Sequence, residues 1–300
     1  MQIVRTVAEM QKIAAELNRS GKTIAYVPTM GYLHEGHASL IREATGYGDA
    51  IIVSIFVNPV QFAPNEDFEK YPRDLVRDCK IAEEAGAHIV FHPETKDMYP
   101  DGYNTLINVS GVSKKFEGAF RPNHFAGVAT VVAKFFNIIR PQFALFGQKD
   151  YQQTLVVRQF TRDLNMDIKI VVAPTVREAD GLAKSSRNTY LSPEDRAKAP
   201  GIFRSLEKAV EAIENGEKRR KIINAIILDS LRKAGNFRID YCLSADAENL
   251  DEPEEFLPGQ RIVMLVAAYL GKTRLIDNVT VSLPSPISMK PAAFVDGVNG

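Results

Sequence analysis

The chain is poor in cysteine: Cys79 and Cys242 are the two in 300 residues, far apart in sequence. They form neither a disulfide framework nor metal-ligand spacing, which argues against a stapled secreted scaffold and for a reduced, cytoplasmic compartment. No apolar run reaches about 18 residues, so no membrane span is expected. The start, Met1-Gln2-Ile3-Val4-Arg5, lacks the apolar stretch of a secretory signal. Neither charge is in excess, with 37 Lys and Arg against 37 Asp and Glu. A general nucleic-acid binder would show a basic surplus, so no nucleic-acid partner is expected. No Gly-x-Gly-x-x-Gly follows a strand, which removes the best support for a dinucleotide dehydrogenase. Gly271-Lys272-Thr273 looks like the end of a P-loop, but the position that needs the first glycine is Val266.

What remains is ordinary globular composition, 45% hydrophobic and 25% charged. Its length suits one large domain or two smaller ones. The richest stretch runs Thr23-Ile24-Ala25-Tyr26-Val27-Pro28-Thr29-Met30-Gly31-Tyr32-Leu33-His34-Glu35-Gly36-His37. An apolar run stops at a proline, and helical spacing begins at Ala38, which reads as strand, tight turn and helix start. Backbone N–H groups at a helix start attract phosphate. Gly31 and Gly36 let the main chain approach a ligand, and His34 and His37 can donate to phosphate oxygens.

Periodicity predicts helices over about 6–19, 38–47, 74–85, 124–140, a segment ending near 164, 193–215 and 219–234. Strands are expected over 23–28, 50–57, 88–91, 105–109, 143–147 and 168–173, then 238–243, 261–269 and 273–278. The first half alternates strand and helix, the pattern of a parallel sheet with helices on both faces and ligands at the strands' carboxyl ends. The second half runs helices then strands. The expectation is an α/β, Rossmann-like domain over 1–175 and a smaller α+β domain over 176–300.

Three more clusters fall at expected strand ends or in the joining loop. Asn58-Pro59-Val60-Gln61-Phe62 offers amides that suit a hydroxy acid, or makes a plain turn. In Gly147-Gln148-Lys149-Asp150, Asp150 either caps a helix or helps hold Mg²⁺, and Lys149 neutralises phosphate. Gln152 and Gln153 follow as further amides expected to face the same cleft. Lys184-Ser185-Ser186-Arg187-Asn188 fits a phosphate clamp, or a solvated loop. A zinc site could be drawn from His34, His37 and one of His88, His92 or His124, but His34-Glu35-Gly36-His37 lacks the four-residue spacing of a zinc protease.

In this order, Pro28-Thr29-Met30-Gly31-x-Leu33-His34-x-Gly36-His37, Ser54-Ile55-Phe56-Val57-Asn58-Pro59-x-Gln61-Phe62, Phe146-Gly147-x-Lys149-Asp150-Tyr151-Gln152-Gln153 and Ser185-Ser186-Arg187-Asn188 resemble the pantoate–β-alanine ligase family. The resemblance covers nearly the whole chain and is weakest after about residue 195. It implies a Rossmann-like domain with a smaller C-terminal lid, a homodimer, and ATP-dependent condensation of pantoate with β-alanine through pantoyl adenylate, with Mg²⁺. It implies ATP contacts at Met30, Gly31, Tyr32, Leu33, His34, Glu35, Gly36, His37, Gly147, Gln148, Lys149, Asp150, Val176, Lys184, Ser185, Ser186 and Arg187. His34, His37, Lys149 and Arg187 take the catalytic roles. Gln61, Gln153, Asn58 and His124 are expected at pantoate, Gln61 and Tyr71 at β-alanine, and Asp150 at the metal. Tyr32, Lys184 and Asn123 stand where the family usually has Ala, Met and Gly. Two competitors share the histidine turn, a nucleotidyltransferase acting on a phosphate and a nucleotide-sensing module. The paired glutamines count against the first, and donors from two domains count against the second. Neutral charge and the lack of room for a tRNA-binding domain disfavour a tRNA synthetase.

Overall fold

The computed structural model describes residues 1–64 and 66–285. The N-terminal half strings together β1 (Gln2–Val4), α1 (Val7–Arg19), β2 (Ile24–Thr29), α2 (Glu35–Ala44), β3 (Ala50–Ile55), α3 (Leu75–Glu84) and β4 (Ile89–Phe91). It continues with α4 (Thr95–Met98), α5 (Phe116–Phe120), α6 (His124–Ile139), β5 (Phe143–Gly147), α7 (Tyr151–Asp163) and β6 (Lys169–Ala173). The strands form one sheet in the order β1-β4-β3-β2-β5-β6, and neighbouring strands pair in parallel. All six residues of β3 are buried, as expected for a strand covered on both faces. One core fills the α1–α6–α7 side of the sheet and another the α2–α3 side. Strand order reverses between β2 and β5, which sets the carboxyl ends of both strands around one crevice.

The C-terminal half adds α8 (Pro193–Lys198), α9 (Gly201–Glu214), α10 (Arg220–Ala234), β7 (Arg238–Asp246), β8 (Arg261–Leu270) and β9 (Thr273–Ser282). These strands make a three-stranded antiparallel sheet with its own core against α9 and α10. On its other side Ala245, Ala247, Leu250, Val263 and Leu265 join the core of the parallel sheet.

Several expectations shift. One helix over 193–215 becomes two, because Pro200 lacks an N–H and its ring obstructs the preceding turn. Residues 105–109 form no strand, and the Ile107 amide bonds to the Thr130 hydroxyl at 2.9 Å instead of a strand neighbour. The three residues of β1 gave too short a signal to foresee. Helix α2 starts at Glu35, three residues early, because His34 caps it.

Candidate active site

The β2–α2 turn is closed by the protein's own side chains. The amides of Tyr32 and Leu33 donate to the two carboxylate oxygens of Asp78, both at 2.7 Å. The Gly36 amide donates to His34 Nδ1 at 3.1 Å, and the His34 amide to His37 Nδ1 at 3.2 Å. These reciprocal bonds form a capping box made of two histidines. The idea that these backbone amides bind phosphate is therefore corrected: protein acceptors already hold them. The glycines also make room for side chains of this chain: a Cβ on Gly31 would sit 3.0 Å from Asp78 Oδ2, and one on Gly36 would sit 2.9 Å from the His34 ring.

Those caps decide what the histidines can do. A ring nitrogen that accepts an N–H carries no proton, so each neutral ring keeps its proton on Nε2. No described residue accepts from either Nε2. The rings lie 4.1 Å apart between centroids. Burial, then the charge of Lys149, lowers the His37 pKa to about 4. Burial and the charges of His37, Lys149 and Lys184 push His34 lower still. Two uncharged donors therefore face the crevice at neutral pH.

They line a cavity of about 220 Å³ together with Met30, Gln61, Lys149, Gln153 and the Ser185–Arg187 segment. Gly36, Asn58, Tyr71, His124, Gly147, Asp150, Val176 and Lys184 also border it. Leu40, Phe56, Phe62, Val128, Val131, Val132, Phe135 and Phe146 supply apolar wall. Gly31, Tyr32, Leu33, Glu35 and Gln148 do not line it. Leu33 is fully buried, Tyr32 lies under the Arg77 guanidinium at 4.9 Å, and Glu35 pairs with Arg42 on the surface. A second cavity, of about 600 Å³, opens toward the C-terminal sheet. The two share Arg121, His124, Lys149, Asp150, Gln153, Ser185 and Arg187, so they form one continuous cleft.

Gln61 sits on a short turn pressed against α6. A Cβ at Gly127 would lie 2.6 Å from the Val60 carbonyl, so only glycine permits the approach. The Asn58 amide donates to Gln61 Oε1 at 3.1 Å and to the Gly127 carbonyl at 3.2 Å, while its oxygen accepts from Tyr99 at 2.8 Å and from the Val60 amide at 3.4 Å. Both donors and both acceptor positions of Asn58 are filled, and it orients Gln61. His124 is likewise engaged, with Nδ1 2.9 Å from the Gln61 carbonyl and Nε2 3.2 Å from an Arg121 nitrogen. A carbonyl only accepts, so His124 carries its proton on Nδ1, the opposite tautomer from His34 and His37. Burial, then Arg121, lowers its pKa to about 4. Gln152 borders the larger cavity, but its polar atoms are engaged within the chain: its amide donates to the carbonyls of Val112 and Lys115 at 2.6 and 2.8 Å, and its oxygen accepts from Glu117 N–H at 3.1 Å.

Arg187 meets Asp67 through two nitrogens, at 3.2 and 3.0 Å. Burial alone would lower its pKa, yet Asp67 raises it. Lys184 pairs with Glu178 at 3.1 Å. Lys149 lies 3.6 Å from Asp150. Asn123 has φ +66°, a left-handed conformation that Asn tolerates better than most residues, which accounts for its standing in a glycine's place. His88 accepts from the Ile51 amide and His92 bonds to the Ile55 carbonyl. Among the described residues no three His, Cys, Asp or Glu gather as a metal cluster.

Sequence reasoning missed Asp78, Asp67 and Arg121. Arg121 lies three residues before His124, and only the folded contact with Glu66, at 2.6 and 2.7 Å, shows its part.

The family model described as pantoate-beta-alanine ligase matches residues 2–280. The chain belongs to the pantoate–β-alanine ligase family. Its relatives in this family include pantothenate synthetase of Thermotoga neapolitana, 48% identical over 93% of this chain and 99% of that one. That of Geobacter sulfurreducens is 49% identical over 93% and 98%. Among solved structures, pantothenate synthetase from Thermus thermophilus superposes with a TM-score of 0.87 at 45% identity, covering 93% of this chain and 99% of that one. The pantoate-beta-alanine ligase of Francisella tularensis, solved with Beta-gamma ATP and Beta-alanine, gives 0.76 at 35% identity over 93% and 97%.

Proposed function

We propose that the cleft condenses pantoate with β-alanine at the expense of ATP, through a pantoyl adenylate. One observation carries this reading: Gln61 and Gln153 border the same cavity as His34, His37 and Lys149. Amides that suit an acid thus stand beside donors that suit phosphate. The apolar wall from α6 suits the two methyl groups of pantoate, and the glutamines suit its hydroxyl and carboxylate oxygens.

In the first half-reaction a pantoate carboxylate oxygen attacks the α-phosphorus of ATP. The bond to the bridging oxygen breaks and pyrophosphate leaves. Negative charge builds on the phosphate oxygens, where fixed donors act most strongly. His34 and His37 give Nε2–H hydrogen bonds without carrying charge, and His37 acts in this scheme by stabilising charge. Lys149, Ser185, Ser186 and Arg187 meet the phosphates, with Met30, Gly36, Gly147, Val176 and Lys184 around the nucleotide. In the second half-reaction the β-alanine amine attacks the acyl carbon and AMP leaves. Gln61 and Tyr71 are the assigned β-alanine contacts. Asn58 and His124 act on pantoate through Gln61, which both of them bond.

Mg²⁺ accompanies ATP in this proposal. Asp150 borders the cavity and is half exposed, which fits an ion that takes one or two carboxylates beside phosphates and water. The domain boundary is placed at 175/176, between β6 and the phosphate-clamp segment. A homodimer follows the family resemblance, and gel filtration tests it. A cytoplasmic location fits two free thiols. No described helix is long and apolar enough to cross a membrane.

The deciding experiment is product analysis with ATP, Mg²⁺, pantoate and β-alanine, each omitted in turn. Pyrophosphate is expected only with ATP and pantoate present, and AMP and pantothenate only with β-alanine added. ADP as product would overturn the adenylate scheme.

A further inference from the structure

Asn278 belongs to β9 of the C-terminal sheet, yet its side chain serves the turn after β5. Its Nδ2 donates to the carbonyls of Gln148 and Lys149, both at 2.9 Å. Its Oδ1 accepts from Gln148 Nε2 at 3.3 Å. The residue is 1% exposed. Its neighbour Asp277 pairs with Arg177 through two bonds of 2.6 and 3.0 Å, and Arg177 follows Val176, which borders the cavity. Arg177 is itself fixed over the Phe203 ring at 3.7 Å.

The two carbonyls that Asn278 holds belong to the peptide planes on either side of the Lys149 Cα. Peptide units are planar, so fixing both planes fixes φ and ψ at Lys149 and hence the direction its side chain leaves the backbone. We infer that Asn278 is a positioning residue for adenylation: a side chain of the C-terminal sheet aims Lys149 into the reaction cavity. Gln148, which was expected at ATP, completes this bracket from outside the cavity. The inference rests on the reading that Lys149 works on the phosphates. It also makes β9 part of the catalytic apparatus, although no residue of β9 touches the smaller cavity.

The test separates the two half-reactions. Pyrophosphate release from ATP and pantoate measures adenylation, and pantothenate formation from synthetic pantoyl adenylate and β-alanine measures amine attack. Displacing a catalytic group by about 1 Å costs on the order of 10²-fold. Asn278→Ala should therefore slow adenylation by roughly 10- to 100-fold and leave amine attack within about twofold. Asn278→Asp keeps the shape but turns an acceptor toward two carbonyls, and should do the same. In a Lys149→Ala background the Asn278→Ala change should cost less than about twofold, because coupled residues are not additive. Equal loss of both half-reactions would overturn the inference, as would an undiminished effect without Lys149 or a normal adenylation rate. A wild-type enzyme that releases no pyrophosphate, or a Lys149→Ala enzyme as fast as wild type, would instead overturn the functional reading beneath it.

Discussion

On one side of the cleft His34 and His37 offer hydrogen bonds and no charge. On the other, Arg187 carries a full charge and keeps Asp67 as a counter-ion 3.0 Å away. The first side is rigid, since each ring is bonded through Nδ1 to a helix-start amide. Arg187, by contrast, is held by an ion pair whose side chains are 27% and 28% exposed. The contrast follows from the neighbours, since all three residues are part-buried. Desolvation and the nearby lysine charge keep the histidines neutral. Arg187 keeps its charge because Asp67 faces it, until phosphate replaces that carboxylate.

Breaking the neutral side should have the largest effect. His37→Ala should slow adenylation by roughly 10²- to 10³-fold, the usual loss for a fixed donor to developing charge. Single-turnover pyrophosphate release measures it, and a near-normal rate would refute the role. The same change removes a cap, so denaturant titration should show about 1 kcal/mol of lost stability. Next comes the acid-binding amide. Gln61→Ala should raise the pantoate KM about tenfold and leave that for ATP unchanged, as expected for one hydrogen bond to a charged group. Equal shifts in both would move Gln61 away from the acid.

The charged side should respond more weakly and in the opposite direction. Asp67→Asn frees Arg187 from a competitor, and the KM for ATP should fall by no more than about fivefold, since partly exposed ion pairs are worth about 0–1 kcal/mol. A rise would mean that Asp67 aims Arg187 instead of competing for it. The smallest effect concerns pH. His34 and His37 stay uncharged down to about 4, so their contribution to adenylation should be flat from pH 8 to 6. Stability behaves differently. Below the ordinary histidine value of 6.5, the unfolded chain binds protons that buried His37 and His124 refuse until about 4. The unfolded state then holds more protons, so stability is full above about 6.5 and declines as pH falls toward 4. Thermal melts across that range would show it.

Much of this was legible in the chain. Apolar runs such as 50–57 announced buried parallel strands, and prolines and glycines marked their ends. The four motifs contain many of the residues that meet in the cavity, among them His34, His37, Gln61, Lys149 and Gln153. What the sequence could not tell was who holds them. Asp78 is 45 positions from Leu33, Asp67 is 120 from Arg187, and Asn278 is 129 from Lys149. None stands in a motif, because each works through a contact that exists only after folding. The helix start misled for a related reason. Free amides were expected there, and the histidines themselves filled them.

That double use of the two rings has a practical corollary. Turning either imidazole over would replace its Nδ1 with a carbon, and the first turn of α2 would lose its fastening. The orientation that serves chemistry is thus the one the helix needs in order to begin. Specific activity consequently doubles as an assay of folding: a preparation whose first helical turn has frayed will have lost its donors at the same moment, before any probe of the bulk structure registers a change.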